Sequence, residues 1–242
     1  MTHVSKYVVA ILVTLYTIRC FTAFGVKKER RKKRIYRAQN TVMLLIHFVL
    51  YCIIFLNQPT VFTIVLYLAQ LVFFLVALFL YSNLYRDASK MLINNMFFLM
   101  MVGFVVLARL DTMLAFKQFV IAVGAVVLSL FIPVFIEKAR FLSHLGYVYG
   151  IAGLATIGLV FVFGESVYGA TNWVTIAGIG FQPSEIAKII FVFFVASMLY
   201  KKTDLKRIMV TSVIAAIHVL LLVAEKDLGS AVIFCVTYLF ML

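Results

Sequence analysis

Long apolar runs alternate with short polar connections along the whole chain, and this pattern predicts membrane-spanning helices. A helix of about 20 apolar residues crosses the roughly 30 Å hydrocarbon core of a bilayer. The runs are continuous instead of alternating, which favours helices over barrel strands, because a helix pairs its own backbone amides in lipid. Nine runs are predicted to span, at 4–24, 40–56, 60–81, 91–109, 115–136, 145–163, 185–200, 207–224 and 229–242.

Composition supports the same fold class. Of the 242 residues, 65% are apolar and only 13% are charged, which is outside the usual range of soluble domains and leaves no room for a separate globular domain. We therefore expect an all-α fold, a polytopic integral membrane helical bundle of about nine transmembrane helices. The last run has 14 residues, about 21 Å of helix. We expect this helix to be incomplete and the chain to be the N-terminal part of a longer protein.

The distribution of Lys and Arg predicts the orientation in the membrane. Sixteen of the 22 basic residues fall in four connections that alternation places on one side, namely 26–37, 82–90, 137–144 and 201–207. The opposite connections contain only Lys226 as a base. The positive-inside rule makes the basic side cytoplasmic and puts the N-terminus outside. The 26–37 run is interpreted as a topology anchor, with binding to anionic lipid or to a cytoplasmic partner as the alternative.

The remaining composition argues against several other classes of protein. A formal net charge of +13 could indicate nucleic-acid binding, but no polar stretch is long enough for a nucleic-acid-reading module. We expect no nucleic-acid partner. The three cysteines lie in apolar runs without C-x-x-C spacing, so neither a disulfide framework nor a structural metal site is expected. The first 24 residues have no A-x-A cleavage site and are predicted to be a retained span.

The connection 164–184 and the run that follows it carry the strongest candidate chemistry. Pro183 suits the first position of a helix, and Glu185 in the first turn opposes the positive end of the helix dipole. Glu185 and Lys188 are three residues apart and therefore project from one helical face. The pair is either an interfacial ion pair or the lining of an outward-facing polar pocket.

Two other features of the outer side are candidates. Glu225, Lys226 and Asp227 form a polar cluster on the side predicted for Glu185, which is either an ordinary short loop or a site for a phosphate-bearing headgroup or a hydroxyl. Trp173, the single tryptophan, is either an interfacial anchor or a wall for an amphipathic ligand.

Gly146 and Gly150 form a G-x-x-x-G that predicts close helix packing.

Three motifs together resemble the SEDS family of bacterial envelope proteins, the group containing RodA, FtsW and SpoVE. They are Gly169-Ala170-x-x-Trp173, the octet from Phe181 to Lys188 that reads FQPSEIAK, and Asp227-Leu228-Gly229-Ser230-Ala231. The resemblance covers about residues 91–242, the first part of the family's transmembrane core. Residues 1–90 are then three extra N-terminal transmembrane helices.

The resemblance implies an activity, a location and partners. Family members are peptidoglycan glycosyltransferases that polymerise lipid II at the outer face of the cytoplasmic membrane during elongation, division or sporulation, with a class B penicillin-binding protein as partner. Glu185, Lys188, Asp227 and Trp173 match its substrate cavity, and the octet and the third motif add Gln182, Pro183, Ser184 and Gly229. No cofactor is identifiable, although a divalent cation could assist.

Some elements of the family pattern are absent from the sequence. The family's proposed catalytic aspartate lies in a later loop, beyond Leu242, so the catalytic residue is unknown and the chain by itself is expected to be inactive. Asn172 stands where many members have Arg, and Glu225-Lys226 replace a common Gln-Pro. Two other functions stay open at this point, a flippase for a lipid-linked precursor and a non-catalytic scaffold for a penicillin-binding protein.

Overall fold

The structure is a computed structural model that describes residues 2–167, 170–176, 179–200 and 204–242. Within these ranges the chain forms nine α-helices: α1 Thr2–Gly25, α2 Glu29–Asn57, α3 Val61–Leu84, α4 Lys90–Leu110, α5 Thr112–Lys138, α6 Gly146–Phe163, α7 Pro183–Leu199, α8 Leu205–Ala224 and α9 Leu228–Met241. A short 3-10 helix, Arg140–His144, joins α5 to α6. Gly169 of the first motif and the basic residues Lys201 and Lys202 lie outside the described residues.

Every predicted apolar run contains a helix, and the all-α fold class is confirmed. Seven of the described helices are long and apolar enough to cross a membrane, namely α1 to α6 and α8. The other two are shorter, with 17 residues in α7 and 14 in α9. The molecule is thus a polytopic bundle whose first five described helices have 21 to 29 residues and whose last four have 14 to 20.

The basic run 26–37 is mostly helical, which corrects its prediction as a connection. α2 begins at Glu29 and carries the run on its first turns. Arg and Lys have good helix propensity, and the negative charge of Glu29 in the first turn interacts favourably with the positive end of the helix dipole. The cations are therefore fixed to the rigid end of a helix and do not lie on a loose loop.

The connection 164–184 contains a small antiparallel sheet that the apolar pattern did not predict. Its strands are β1 Glu165–Val167, β2 Ala170–Ile176 and β3 Ile179–Phe181, in the order β1-β2-β3. Glu165 pairs with Trp173, and Val174 pairs with Phe181. The β-branched and aromatic residues of β2 suit such a strand. The sheet leads directly into the first turn of α7.

The described chain divides into two compact units, Met1–Pro133 and Val134–Leu242. In the first, called unit 1, buried aromatic rings of α3 and α4 form the core, with Phe74, Phe97 and Phe104 all at most 1% exposed. The predicted division at residue 90, between three extra helices and the SEDS-like core, rests on resemblance in sequence. The packing of the helices does not test it, and it stays a prediction.

The second compact unit, called unit 2, is built on close contact between α6 and its neighbours. A Cβ added to Gly150 would lie 3.2 Å from the Phe194 ring, and one on Gly146 would lie 2.8 Å from the sulfur of Met198. Both partners belong to α7. The close packing predicted from the G-x-x-x-G spacing is confirmed, because the side chains of Met198 and Phe194 occupy the space that side chains at Gly146 and Gly150 would need.

Candidate functional site

Asp227 is the centre of a hydrogen-bonded cluster that joins the start of α9 to the start of α7. It is the N-cap of α9, where its Oδ1 accepts a hydrogen bond from the Ser230 backbone N–H at 3.1 Å. Its Oδ2 accepts from the Gln182 side-chain amide at 2.8 Å and from the Ser184 hydroxyl at 3.1 Å. The side chains of the second and third sequence motifs therefore meet at one carboxylate.

The local sequence at the start of α7 holds Gln182 and Ser184 in place for their contacts with Asp227. Pro183 occupies the first helical position, where no backbone N–H is needed. Gln182 precedes it in an extended conformation, so its side chain can reach Asp227. Ser184 is 1% exposed and also accepts a hydrogen bond from the Ser230 hydroxyl at 3.4 Å. The cluster is therefore built from rigid helix ends.

The surroundings of Asp227 favour its ionised form. Burial acts to raise the pKa of this carboxyl, but hydrogen bonds from Ser230, Asn172 and Ser184 outweigh burial and lower the pKa below its usual value. Asp227 is thus a carboxylate at neutral pH. Its three hydrogen bonds within the described residues, from Gln182, Ser184 and Ser230, indicate an anchoring and positioning role where α7 and α9 begin.

Glu225 lies two residues away in an opposite environment. Its side chain is 2% exposed, and neither carboxyl oxygen has a hydrogen-bond partner among the described residues. The pKa of Glu225 is raised to about 7, mainly by burial and to a lesser extent by the negative charge of Asp227. The backbone carbonyl of Glu225 accepts from the Thr171 N–H at 3.1 Å, which fixes this residue against β2.

The turn between these two carboxyl groups has an unusual backbone. Lys226 adopts φ of 60°, in the left-handed region that residues other than glycine rarely occupy. A proline, the residue common there in the SEDS pattern, is held near −65° and could not adopt this conformation. The Glu-Lys pair therefore changes the geometry of the turn as well as its charge.

Glu185 and Lys188 form the ion pair expected from their spacing. The Lys188 Nζ lies 2.6 Å from Glu185 Oε1. The Glu185 side chain is 61% exposed and that of Lys188 is 23% exposed. In the described part of the chain no hydrogen bond or ion pair joins them to Asp227, so the predicted site residues form two separate groups.

Trp173 lies on β2, in the sheet that precedes α7. It is 39% exposed, and its ring covers Gly180 of β3, with Cε3 3.6 Å from the position of an added Cβ. The ring thus has one face on the sheet and an accessible remainder. Both interpretations, anchor and ligand wall, are compatible with this placement.

The sequence does not single out Ser230, which appears there only as part of a motif. Glu225 is a candidate from sequence as a member of the polar cluster with Lys226 and Asp227, but its burial is not predicted. The hydrogen bond from Ser184 to Asp227 joins residues 43 positions apart, so the local spacing of residues does not predict it. The motifs themselves were the available signal.

Metal-ligating side chains do not gather in the described ranges. No group of three or more His, Cys, Asp or Glu residues there could hold a metal ion. The Asp227 oxygens already accept three hydrogen bonds, while the Glu225 oxygens have no partner among the described residues. The divalent cation considered from sequence stays a prediction.

The fold and this site define a class: a multi-pass helical membrane protein with a hydrogen-bonded carboxylate cluster where helices begin and end. The family model for the FtsW, RodA and SpoVE proteins, described as "Cell cycle protein", matches residues 89–242. This is more than half of the chain, and the chain belongs to that family, as the SEDS resemblance predicted.

Individual bacterial relatives agree with the family. The chain is 35% identical over 86 residues to "Probable peptidoglycan glycosyltransferase FtsW" of Wigglesworthia glossinidia brevipalpis, which covers 34% of this chain and 23% of that protein. It is 32% identical over 130 residues to "Peptidoglycan glycosyltransferase RodA" of Treponema pallidum, covering 52% of this chain and 29% of that protein. The chain thus spans about a quarter of the length of the curated relatives it matches. No solved structure matches it.

Proposed function

We propose that the protein takes part in peptidoglycan synthesis as a glycosyltransferase that polymerises lipid II at the outer face of the bacterial cytoplasmic membrane. Membership of the family supports this proposal, together with relatives that are named as peptidoglycan glycosyltransferases. The process would be cell elongation, division or sporulation. A class B penicillin-binding protein is the proposed partner, and the N-terminus is proposed to lie outside.

One structural observation carries the proposal beyond family membership. The two motifs that resemble the family, FQPSEIAK and DLGSA, meet at the ionised carboxylate of Asp227 through Gln182 and Ser184. The exposed Glu185–Lys188 pair follows on the first turns of the same helix, α7. The carboxylate of Asp227 thus anchors the helix end that carries the half-buried cation Lys188.

The proposed chemistry assigns different tasks to these groups. The 4-hydroxyl oxygen of an acceptor sugar attacks the anomeric carbon of the donor, the bond from that carbon to the diphosphate breaks, and a carboxylate takes the hydroxyl proton. Lys188 is proposed to contact the departing lipid diphosphate, whose growing negative charge an ammonium group stabilises. Asp227 is a positioning residue in this scheme, and the general base is left unassigned.

The test uses the complete protein purified with its partner penicillin-binding protein and supplied with lipid II. We expect glycan strands from the wild type and a loss of at least about tenfold in polymerisation for Lys188→Ala, because transition-state charge stabilisation of this kind is worth that much or more. Arg207→Ala is the matched control. Arg207 belongs to another exposed i,i+3 ion pair of unit 2, with Asp204 at 3.7 Å.

Three outcomes would contradict the proposal. The first is a complete wild-type protein that makes no glycan while a known family member does. The second is transfer of lipid II across vesicles that lack polymerase activity, with loss of that transfer in Lys188→Ala, which would establish a transporter. The third is normal glycan synthesis by Lys188→Ala, which would overturn the assignment of Lys188 to the departing diphosphate. Recruitment of the partner without any glycan synthesis would instead indicate a non-catalytic scaffold.

A further inference from the structure

Unit 1 contains a pocket that the proposed function does not use. It lies between α2, α3 and α4 and has a volume of about 490 Å³. Its walls come from the first half of α2, the last turns of α3 and the first turns of α4. These are the helix ends that carry the basic residues, so the pocket opens where the sequence predicts the cytoplasmic surface.

The mouth of the pocket carries three cations. Lys33, Arg37 and Lys90 belong to its lining, which contains no acidic residue. None of the three forms an ion pair within the described ranges, where the two ion pairs found, Glu185–Lys188 and Asp204–Arg207, both belong to unit 2. An uncompensated charge of this kind favours a bound anion, and Arg and Lys both suit phosphate.

The middle of the pocket offers a hydrogen-bond acceptor and fixed walls. The Asn40 Oδ1 is buried and has no partner among the described residues. Tyr81 is held by a hydrogen bond with Ser129, and Tyr85 donates to the Leu130 carbonyl. The acceptor is therefore available to a hydroxyl group of a ligand, and the tyrosine walls do not need to be ordered on binding.

The inner end of the pocket is apolar. Its lining there includes Leu44 of α2 together with Leu75, Leu78 and Phe79 of α3. Leu75 and Phe79 are 49% and 64% exposed, so they form an open hydrocarbon-lined groove below the polar groups. A free anion would leave this groove empty, whereas an acyl chain would cover it.

We propose that this pocket binds an anionic phospholipid whose headgroup carries hydroxyl groups. The phosphate lies between Lys33, Arg37 and Lys90, a headgroup hydroxyl donates to Asn40, and one acyl chain follows the apolar groove. Basic pockets between transmembrane helices at the cytoplasmic side recognise such headgroups. A soluble phosphate shares the cationic contacts and lacks the other two. The proposal does not depend on the glycosyltransferase function.

The experiment titrates the complete, delipidated protein with phosphatidylglycerol and counts bound lipids by native mass spectrometry. We expect one tight site, at least about tenfold tighter than for phosphatidylcholine, since only the first lipid has net negative charge. The triple variant Lys33→Gln, Arg37→Gln, Lys90→Gln should lose at least about fivefold in affinity. The control Lys27→Gln, Arg30→Gln, Arg31→Gln removes the same charge from residues outside the lining and should change affinity by less than about twofold.

Two further arms separate the pocket from its alternatives. Asn40→Leu leaves the charge unchanged and should weaken phosphatidylglycerol binding by about threefold or more, because it removes the acceptor and fills the polar part of the pocket. Glycerophosphoglycerol and inorganic phosphate should not displace the lipid at millimolar concentration. Displacement by either would overturn the lipid assignment in favour of a soluble phosphate ligand. Equal losses in the two triple variants would overturn the pocket in favour of diffuse surface charge.

Discussion

The two units bury different kinds of polar side chain. In unit 1 the fully buried polar residues among the described ones are neutral, and two pairs of them join helices: the Asn94 amide donates to Gln39 at 3.0 Å, and His47 lies 3.0 Å from Gln70. In unit 2 the described buried groups include two carboxyl groups, Glu225 and Asp227, both beside a helix end. Neutral amides serve as contacts between helices in lipid, where apolar burial contributes little to association.

Buried carboxyl groups, in contrast, are costly to the folded state when they are ionised. Removing a charge from water costs several kcal/mol unless hydrogen bonds or a partner replace the solvent. Asp227 has those hydrogen bonds and Glu225 does not. The difference indicates that unit 1 uses polarity to hold its helices together, whereas unit 2 keeps an unsatisfied acidic group next to its candidate site.

The largest effect is expected where unit 2 depends on small residues. A Cβ added to Gly153 of α6 would lie 2.6 Å from His218 Nε2. His218 cannot move aside easily, because it is fully buried and its ring contacts Phe191 and Phe234. We expect Gly153→Leu to lower the free energy of unfolding by more than about 3 kcal/mol, measured by denaturant or thermal unfolding in detergent.

Gly158 of the same helix provides the control for this substitution. Nothing lies within 4 Å of a Cβ at Gly158, so Gly158→Leu should change stability by less than about 1 kcal/mol. In unit 1, Gly103 and Gly124 have equally open surroundings. Equal losses at Gly153 and Gly158 would mean that close approach of α6 is not what holds unit 2 together.

The second effect depends on pH and concerns Glu225. Its pKa in the folded protein is about 7, above the usual value of 4.5, so folding favours the protonated form. The contribution of Glu225 to the stability of the folded state is therefore greatest below pH 4.5 and is lost as pH rises towards and through 7. Glu225→Gln stays neutral and should become more stable than the wild type, by up to about 3 kcal/mol at pH 8 and by less than about 1 kcal/mol at pH 5.

Unfolding temperatures of both proteins across pH 5 to 8 would measure this difference. Glu165→Gln is a suitable control, because Glu165 is an exposed residue of β1 and its replacement should give no pH-dependent gain. A constant difference between Glu225→Gln and wild type across that range would show that Glu225 has acquired a compensating partner. In that case the contrast between the two units would disappear.

The helices of both units could be predicted from sequence, because a long apolar run in lipid has few alternatives to a helix. Helix ends were less predictable. The charge of the basic residues after position 28 predicts a connection there, yet these residues belong to α2. The sheet between α6 and α7 was also missed, because strands of three to seven residues leave almost no periodic signal.

The candidate site was predictable only as far as its motifs reached. Resemblance identified Asp227, Gln182 and Ser184 separately, and the structure brought them to one carboxylate. The carboxyl group of Glu225 lacks a hydrogen-bond partner because the folded chain buries it. A three-residue polar stretch between two apolar runs does not reveal this burial. The same limit applies to the pocket of unit 1, whose three cations come from two different connections in sequence.

A third, smaller effect tests the neutral contacts of unit 1. The Gln70 Oε1 accepts a hydrogen bond from the Tyr51 hydroxyl at 2.9 Å and lies 3.0 Å from His47 Nε2. Gln70→Leu removes this acceptor and leaves buried polar groups of α2 unpaired. We expect a loss of about 2 kcal/mol in unfolding free energy. Gln58→Leu, at an exposed position beyond α2, should change it by less than about 0.5 kcal/mol.

The smallest effect on stability is expected at the exposed ion pair of unit 2. Glu185→Gln removes one partner of a contact that is largely open to solvent, and surface pairs of this kind contribute about 0 to 1 kcal/mol. Asp204→Asn removes the acidic partner of another exposed pair and should have the same slight effect on unfolding. The two variants should differ in polymerisation by the complete protein, since only Glu185 orients the cation proposed to contact the diphosphate. A stability loss above 2 kcal/mol in Glu185→Gln alone would place this pair among the structural contacts, and the unsatisfied Glu225 would then be the remaining feature that separates unit 2 from unit 1.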